Sequence, residues 1–97
     1  MEATAAWQVP VEAKLPLRYW DGDYVVYNPL TGNTHVLDIV AGKVLEIIMA
    51  GPATSAELCQ HIAEFLDVPN DLRTAENVDA ILAVLDRLGL IEPVAAC

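Results

Sequence analysis

Positive charge is what this sequence is shortest of. Lys and Arg number 5 against 14 Asp and Glu, for a formal net charge of −9. Nucleic-acid binding depends on cations that displace counterions from phosphate, so a chain this acidic is repelled by DNA and RNA. Anionic membrane surfaces are disfavoured for the same reason. Cysteine is scarce as well: Cys59 and Cys97 are too few for a disulfide framework. Long hydrophobic runs are missing. The run from Leu45 to Ala50 is interrupted by Glu46 and is far too short to span a bilayer. The N-terminus has no basic stretch followed by an apolar one, so no signal peptide is expected, and the expected setting is a reducing cytoplasm.

Apolar residues, by contrast, make up 55% of the chain and charged ones only 20%, a balance that folds rather than stays disordered. With 97 residues the chain accommodates one domain with a thin core. Residues 1–14 read as an N-terminal arm, with Pro10 breaking any helix and Trp7 as the one large anchor. A three-strand meander follows. Leu15 to Trp20 is the first strand. Asp21-Gly22 is a strong hairpin signal, because a type I′ turn needs positive φ at both central positions. Asp23 to Tyr27 is the second strand, Asn28 to Asn33 supplies turn residues, and Thr34 to Leu37 is the third.

Three helices are expected next. Asp38 is placed to cap the first, Ile39 to Ala50, which is apolar around most of its girth and therefore central. Gly51-Pro52 ends it. Thr54 and Glu57 form a T-x-x-E capping box for the second helix, with Leu58, Ile62, Phe65 and Leu66 as its stripe. The third starts between Asp71 and Ala75, with Thr74 the better cap, and Gly89 fits the position just past its end. The tail from Glu92 to Cys97 is expected to be loose, which sets the domain at 15–91. This order gives an α+β fold, a three-stranded antiparallel sheet followed by three helices, in a winged helix-turn-helix-like arrangement.

Catalysis finds little to stand on. Cys59 and His61 lie two apart on a helix and point about 200° apart, so they cannot share one metal ion, and His35 has no paired ligand nearby. No nucleophile elbow, phosphate-cradling loop or HExxH occurs. Neither an enzyme nor a bound metal or cofactor is expected. The third helix carries Asp71, Glu76, Asp79 and Asp86 against Arg73 and Arg87, the wrong sign for reading a DNA groove.

The third strand is the feature left over. The first strand carries Lys14, Pro16 and Arg18 in or beside it, residues that blunt an edge, whereas Thr34 to Leu37 has no Lys, Arg or Pro. In the order first-second-third, that undefended edge lies beside the residue that launches the first helix. An extended peptide can add there as a fourth strand. The alternatives are cover by a helix, by the N-terminal arm, or by a second copy of the chain.

The stretch "LDIVAGKVLEII", then Gly51 with "TSAELCQHIAEFL", then "VDAILAVLDRLGLIE", together resemble the PqqD-like peptide chaperones, the recognition elements of ribosomally made, post-translationally modified peptides. The opening "RYWDGDYVVYNPLTGNTHVLD" is most similar to the subset encoded with an HPr-kinase-related protein. Asp38 sits where many members have Asn, and both can cap a helix. The resemblance implies that a precursor leader peptide lies antiparallel to the third strand, between it and the third helix. Thr34, His35, Val36 and Leu37 would supply backbone pairing, and Val78, Ile81, Leu82 and Leu85 the apolar contacts, with Ala80 and Val84 as a second, shallower face. It further implies a separate peptide-modifying enzyme as partner and no catalytic residue in this chain. An acidic groove rim would favour a leader with basic residues. The alternative is a self-associating or enzyme-docking module, a homodimer through the third strand included, without leader affinity.

Overall fold

The computed structural model describes residues 6–10, 16–29 and 31–94. Strands β2 (Leu17–Trp20), β3 (Asp23–Asn28) and β4 (Asn33–Leu37) form an antiparallel sheet in the order β2-β3-β4. Asp21 and Gly22 join β2 to β3 with φ of 53° and 86°, the paired positive values that a type I′ turn requires. Opposed residues share a face, so the registers Leu17–Val26–His35 and Tyr19–Tyr24–Leu37 mark the inner face. Val26 is fully buried there and Leu37 nearly so. Arg18, Val25 and Val36 lie on the outer face.

Helix α1 (Ile39–Ala50) starts where Asp38 accepts a hydrogen bond from the Ala41 amide at 2.8 Å. Its Val44, Leu45 and Ile48 sit in the centre of the core, as expected of a helix apolar on most sides. Helix α2 (Ser55–Leu66) packs Leu58, Cys59, Ile62 and Ala63 inward. Helix α3 (Leu72–Arg87) packs Thr74, Val78, Leu82 and Leu85 inward. Leu90 and Ile91 close the core after Gly89 turns the chain at φ 76°.

The α2 cap is the full reciprocal box: Glu57 N donates to Thr54 Oγ1 at 3.2 Å and Thr54 N donates to Glu57 Oε1 at 2.8 Å. The Thr54 amide, and then its hydroxyl, hold the Glu57 carboxyl below the usual carboxylate range. A depressed folded-state value means this contribution is present above the unfolded value and is lost as pH falls through the folded one. Thr54→Ala is expected to lower stability by about 1 kcal/mol at neutral pH. The gap from wild type should narrow in acid, read from urea midpoints at neutral and acidic pH.

The structure corrects the sequence reading in three places. The cap of α3 is Asp71, not Thr74: the Asp71 carboxylate accepts from the amides of Arg73 and Thr74 at 3.1 and 3.2 Å. Thr74 instead lies inside the first turn, buried, its hydroxyl donating to Pro69 O at 2.7 Å. That bond ties the helix start to the preceding turn. The other two places are the arm and the tail. Residues β1 (Ala6–Gln8) pair antiparallel with both β5 (Ala53–Thr54) and β6 (Glu92–Pro93), forming a second small sheet. Val94 N donates to Ala6 O at 2.8 Å, and Gln8 Nε2 to Glu92 Oε2 at 3.0 Å. Trp7 and Val9 pack against the core from this sheet. The described part of the expected arm is thus a strand, and Glu92–Pro93 is paired rather than loose; the rest of both segments lies outside the described residues.

Candidate functional site

The direction of each β4 amide follows from the meander's register. Tyr27 N donates to Pro16 O at 3.1 Å, so Tyr27 turns its backbone groups toward β2. Backbone groups alternate sides along an antiparallel strand. Asp23, Val25 and Tyr27 therefore bond to β2, and Tyr24, Val26 and Asn28 bond to β4. Their opposite numbers Leu37, His35 and Asn33 spend their N–H and C=O on β3. The N–H and C=O of Thr34 and Val36 point the other way, out of the sheet. No described strand pairs with that side of β4.

Helix α3 stands across from this edge. A shallow cleft of about 280 Å³ lies between them, with Val36, Leu37 and Ala41 on one wall and Ala80, Ile81 and Val84 on the other. A larger cavity of about 610 Å³ adjoins it, reaching Val40, Ile62, Leu66 and Val68 under the α2–α3 turn. Asp38, Ala80 and Ile81 line both. The charged residues on the two linings are Asp38, Asp71 and Arg73. Two carboxylates, each also a helix cap, stand against one guanidinium, so little of the chain's large negative charge is concentrated in the groove.

Among the residues singled out from the sequence, Thr34 and Val36 are exposed on the outer face of β4, Val36 at 68%. His35 is half-buried and Leu37 buried. The ring Nε2 of His35 is enclosed without a hydrogen-bond partner. The helix residues separate. Val78, Leu82 and Leu85 are core, at 0%, 3% and 0% exposure, while Ile81 alone of the four reaches the groove. Ala80 and Val84, the shallower face, line the cleft. Sequence reasoning missed Asp38, Ala41 and Asn77 as lining residues, and the Val40, Ile62, Leu66 and Val68 lining of the larger cavity. The available signal was spacing: Asn77, Ala80, Ile81 and Val84 lie at helical intervals, rotated away from the Thr74–Val78–Leu82–Leu85 stripe.

Elsewhere the chemistry is quiet. Burial, and then the negative charge of Asp79, push the Cys59 thiol up, the opposite of what a nucleophile or metal ligand needs. Among the described residues no group of three or more His, Cys, Asp or Glu is placed to hold a metal ion. No described helix is long and apolar enough to cross a membrane.

A family model described as coenzyme PQQ synthesis protein D (PqqD) matches residues 23–91, from the first residue of β3 through the end of the core, more than two thirds of the chain. The chain belongs to the PqqD family. Members of this family are non-catalytic accessory proteins, peptide-binding chaperones in the biosynthesis of PQQ and of other ribosomally made, modified peptides. Searches of curated proteins and of solved structures find no match. In this PqqD-family chain the matched segment holds both walls of the groove, and β1, β2 and β6 lie outside it.

Proposed function

We propose that this PqqD-family chain captures the leader segment of a precursor peptide as a fourth strand on β4, antiparallel to it, and presents it to a separate modifying enzyme. The observation that carries the reading is the pair Thr34 and Val36, whose backbone groups lie on the unpaired side of β4, with Val36 lining a cleft walled by α3. Strand addition supplies affinity through main-chain hydrogen bonds, and pockets at alternate positions supply selectivity. The work on the peptide belongs to the partner enzyme in this reading, and the setting is the cytoplasm. The opening hairpin supports membership of the subset encoded beside an HPr-kinase-related protein.

Titration of the labelled chain with synthetic leader segments of candidate precursor peptides tests this. Amide signals of Thr34 to Leu37 and of Ala80, Ile81 and Val84 are expected to move, with β1 and β6 unchanged. Movement elsewhere with β4 still would sink the reading. The same open edge supports a second reading, self-pairing of β4 between two copies, for which Val36 offers an exposed apolar side chain. That reading gives a mass that rises with concentration and no leader affinity in sedimentation experiments.

A further inference from the structure

We infer that the outer face of the β2-β3-β4 sheet, the side turned away from the helices, is the docking surface for the modifying enzyme, and that a leader strand paired on β4, as proposed above, completes it. An antiparallel sheet with one face on the core ordinarily turns polar residues to water on the other. This sheet does not. Trp20 is 74% exposed and Tyr27 42% on the outer face, which they share with Val25 and Val36. None of these four packs against the core. The registers make them contiguous. Val25 stands between Arg18 and Val36 in one cross-strand row, and Trp20 is its diagonal neighbour. Tyr27 stands between Pro16 and Thr34 in the next row. Trp20 and Arg18 belong to β2, outside the family-matched segment, so the family model does not account for this patch.

A guest strand extends the same rows. Opposed residues share a face, so the guest residues opposite Thr34 and Val36 come to lie on the outer face beside them, and their neighbours turn inward toward α3. The added strand widens the face by about 4.8 Å. Size and charge select the occupant. Three short strands cover on the order of 300 Å², against about 800 Å² per partner in a stable interface. A second copy has only this face to offer and brings its own net charge of −9. A partner that also grips the guest makes up the missing area, and a modifying enzyme has to grip the guest to act on it. Its matching surface is apolar, with a recess for Trp20, and carries cations for Asp21 and Asp23, both exposed at the hairpin tip beside Trp20. The leader is thus read twice. Its inward residues set affinity for this chain, and its outward residues set docking of the enzyme. Each partner then tightens the other by the same factor.

The test reconstitutes the reaction from the full chain, a candidate precursor and candidate modifying enzymes. The enzyme used is the one whose modification of the precursor, read by mass spectrometry, requires this chain. Calorimetry then measures the chain against the synthetic leader and against that enzyme. Saturating leader is expected to tighten enzyme binding roughly fivefold or more. Trp20→Ala combined with Tyr27→Ala should leave leader affinity within about twofold and weaken enzyme binding at least about tenfold. Thermal unfolding checks that the double variant is folded, and Trp20→Ala alone, which removes little buried surface, should shift enzyme binding in the same direction. A glutamate scan of the leader should divide with a period of two: one set of positions weakens binding to this chain, and the alternate set leaves it intact and lowers modification. Unchanged enzyme affinity in both variants overturns the docking face and leaves strand addition standing. A scan in which the same positions govern both steps overturns the double reading of the leader. A leader that binds without moving the Thr34 to Leu37 amides brings down strand addition, and the composite surface with it.

Discussion

Gly42→Ala lowers the stability of this domain by roughly 3 kcal/mol, at the upper end of the usual cost of overpacking. Inside a helix the same change ordinarily stabilises by about 0.5–1 kcal/mol, so even the sign is diagnostic. The cause lies across the sheet. A Cβ built on Gly42 would overlap the ring of Tyr24, and would come within 2.7 Å of the Tyr24 Cβ as well. Turning the ring does not resolve a clash that reaches Cβ, because Cβ moves only with the strand. The ring is also held from the far side, edge-on to Tyr19 with centroids 5.3 Å apart. Helix α1 must therefore lift off β3, loosening Val44, Leu45 and Ile48, which pack in the centre of the core. Gly51→Ala is the control: a Cβ there meets nothing within 4 Å, and the backbone is extended. Thermal unfolding should place Gly51→Ala within a few degrees of wild type and Gly42→Ala roughly 10–25 °C below it. Adding Tyr24→Ala to Gly42→Ala should cost less than the sum of the two single changes. A Gly42→Ala protein as stable as wild type would show that α1 does not approach the sheet this closely.

Val36→Pro is expected to abolish leader capture and leave the fold in place. Proline removes one backbone N–H, and within sheets it is tolerated only where that N–H faces away from a neighbouring strand. The register puts the Val36 N–H on the free side of β4 and the His35 N–H in the ladder with Val26. Val36→Pro thus loses the guest's hydrogen bond and places a ring where the guest strand must lie. Leader affinity should fall by at least about tenfold, one main-chain hydrogen bond being worth about 0.5–1.5 kcal/mol before the steric block is added. His35→Pro makes the informative comparison. It breaks the β3–β4 ladder and leaves a Val26 carbonyl without its donor, so it should cost about 1–3 kcal/mol of stability. Calorimetry with the leader peptide, alongside urea unfolding of both variants, separates the two effects. Equal stability loss in the two proteins would mean that β4 is turned over relative to the register described. Undiminished leader affinity in Val36→Pro would remove the free edge as the binding element.

Much of the chain was legible because its signals are local. Asp21-Gly22, Asp38 before an apolar run, the Thr54–Glu57 pair and Gly89 each act through atoms within a few residues, so their geometry follows from residue type and spacing. The second small sheet was not legible. Its strands are two or three residues long, too short to show a period, and β1 finds β6 only after some eighty intervening residues have folded. The Asp71 cap was misjudged for a related reason. Asp71 and Thr74 are both good caps in isolation, and the choice was made by the Pro69 carbonyl, which takes the Thr74 hydroxyl into the turn.

The candidate site divides the same way. Alternation, caps and turn residues by themselves determined that a strand without defensive residues ends at a helix cap, and that a later helix carries more apolar residues than one stripe needs. Helical spacing separates Val78, Leu82 and Leu85 from Ala80, Ile81 and Val84, but tertiary structure decided that the first set goes to the core and the second is left beside the edge. Tertiary structure also decided that Thr34 and Val36, not His35 and Leu37, turn their amides outward. A helix has no inside until another surface packs against it, and a strand has no free side until its partner has taken the other.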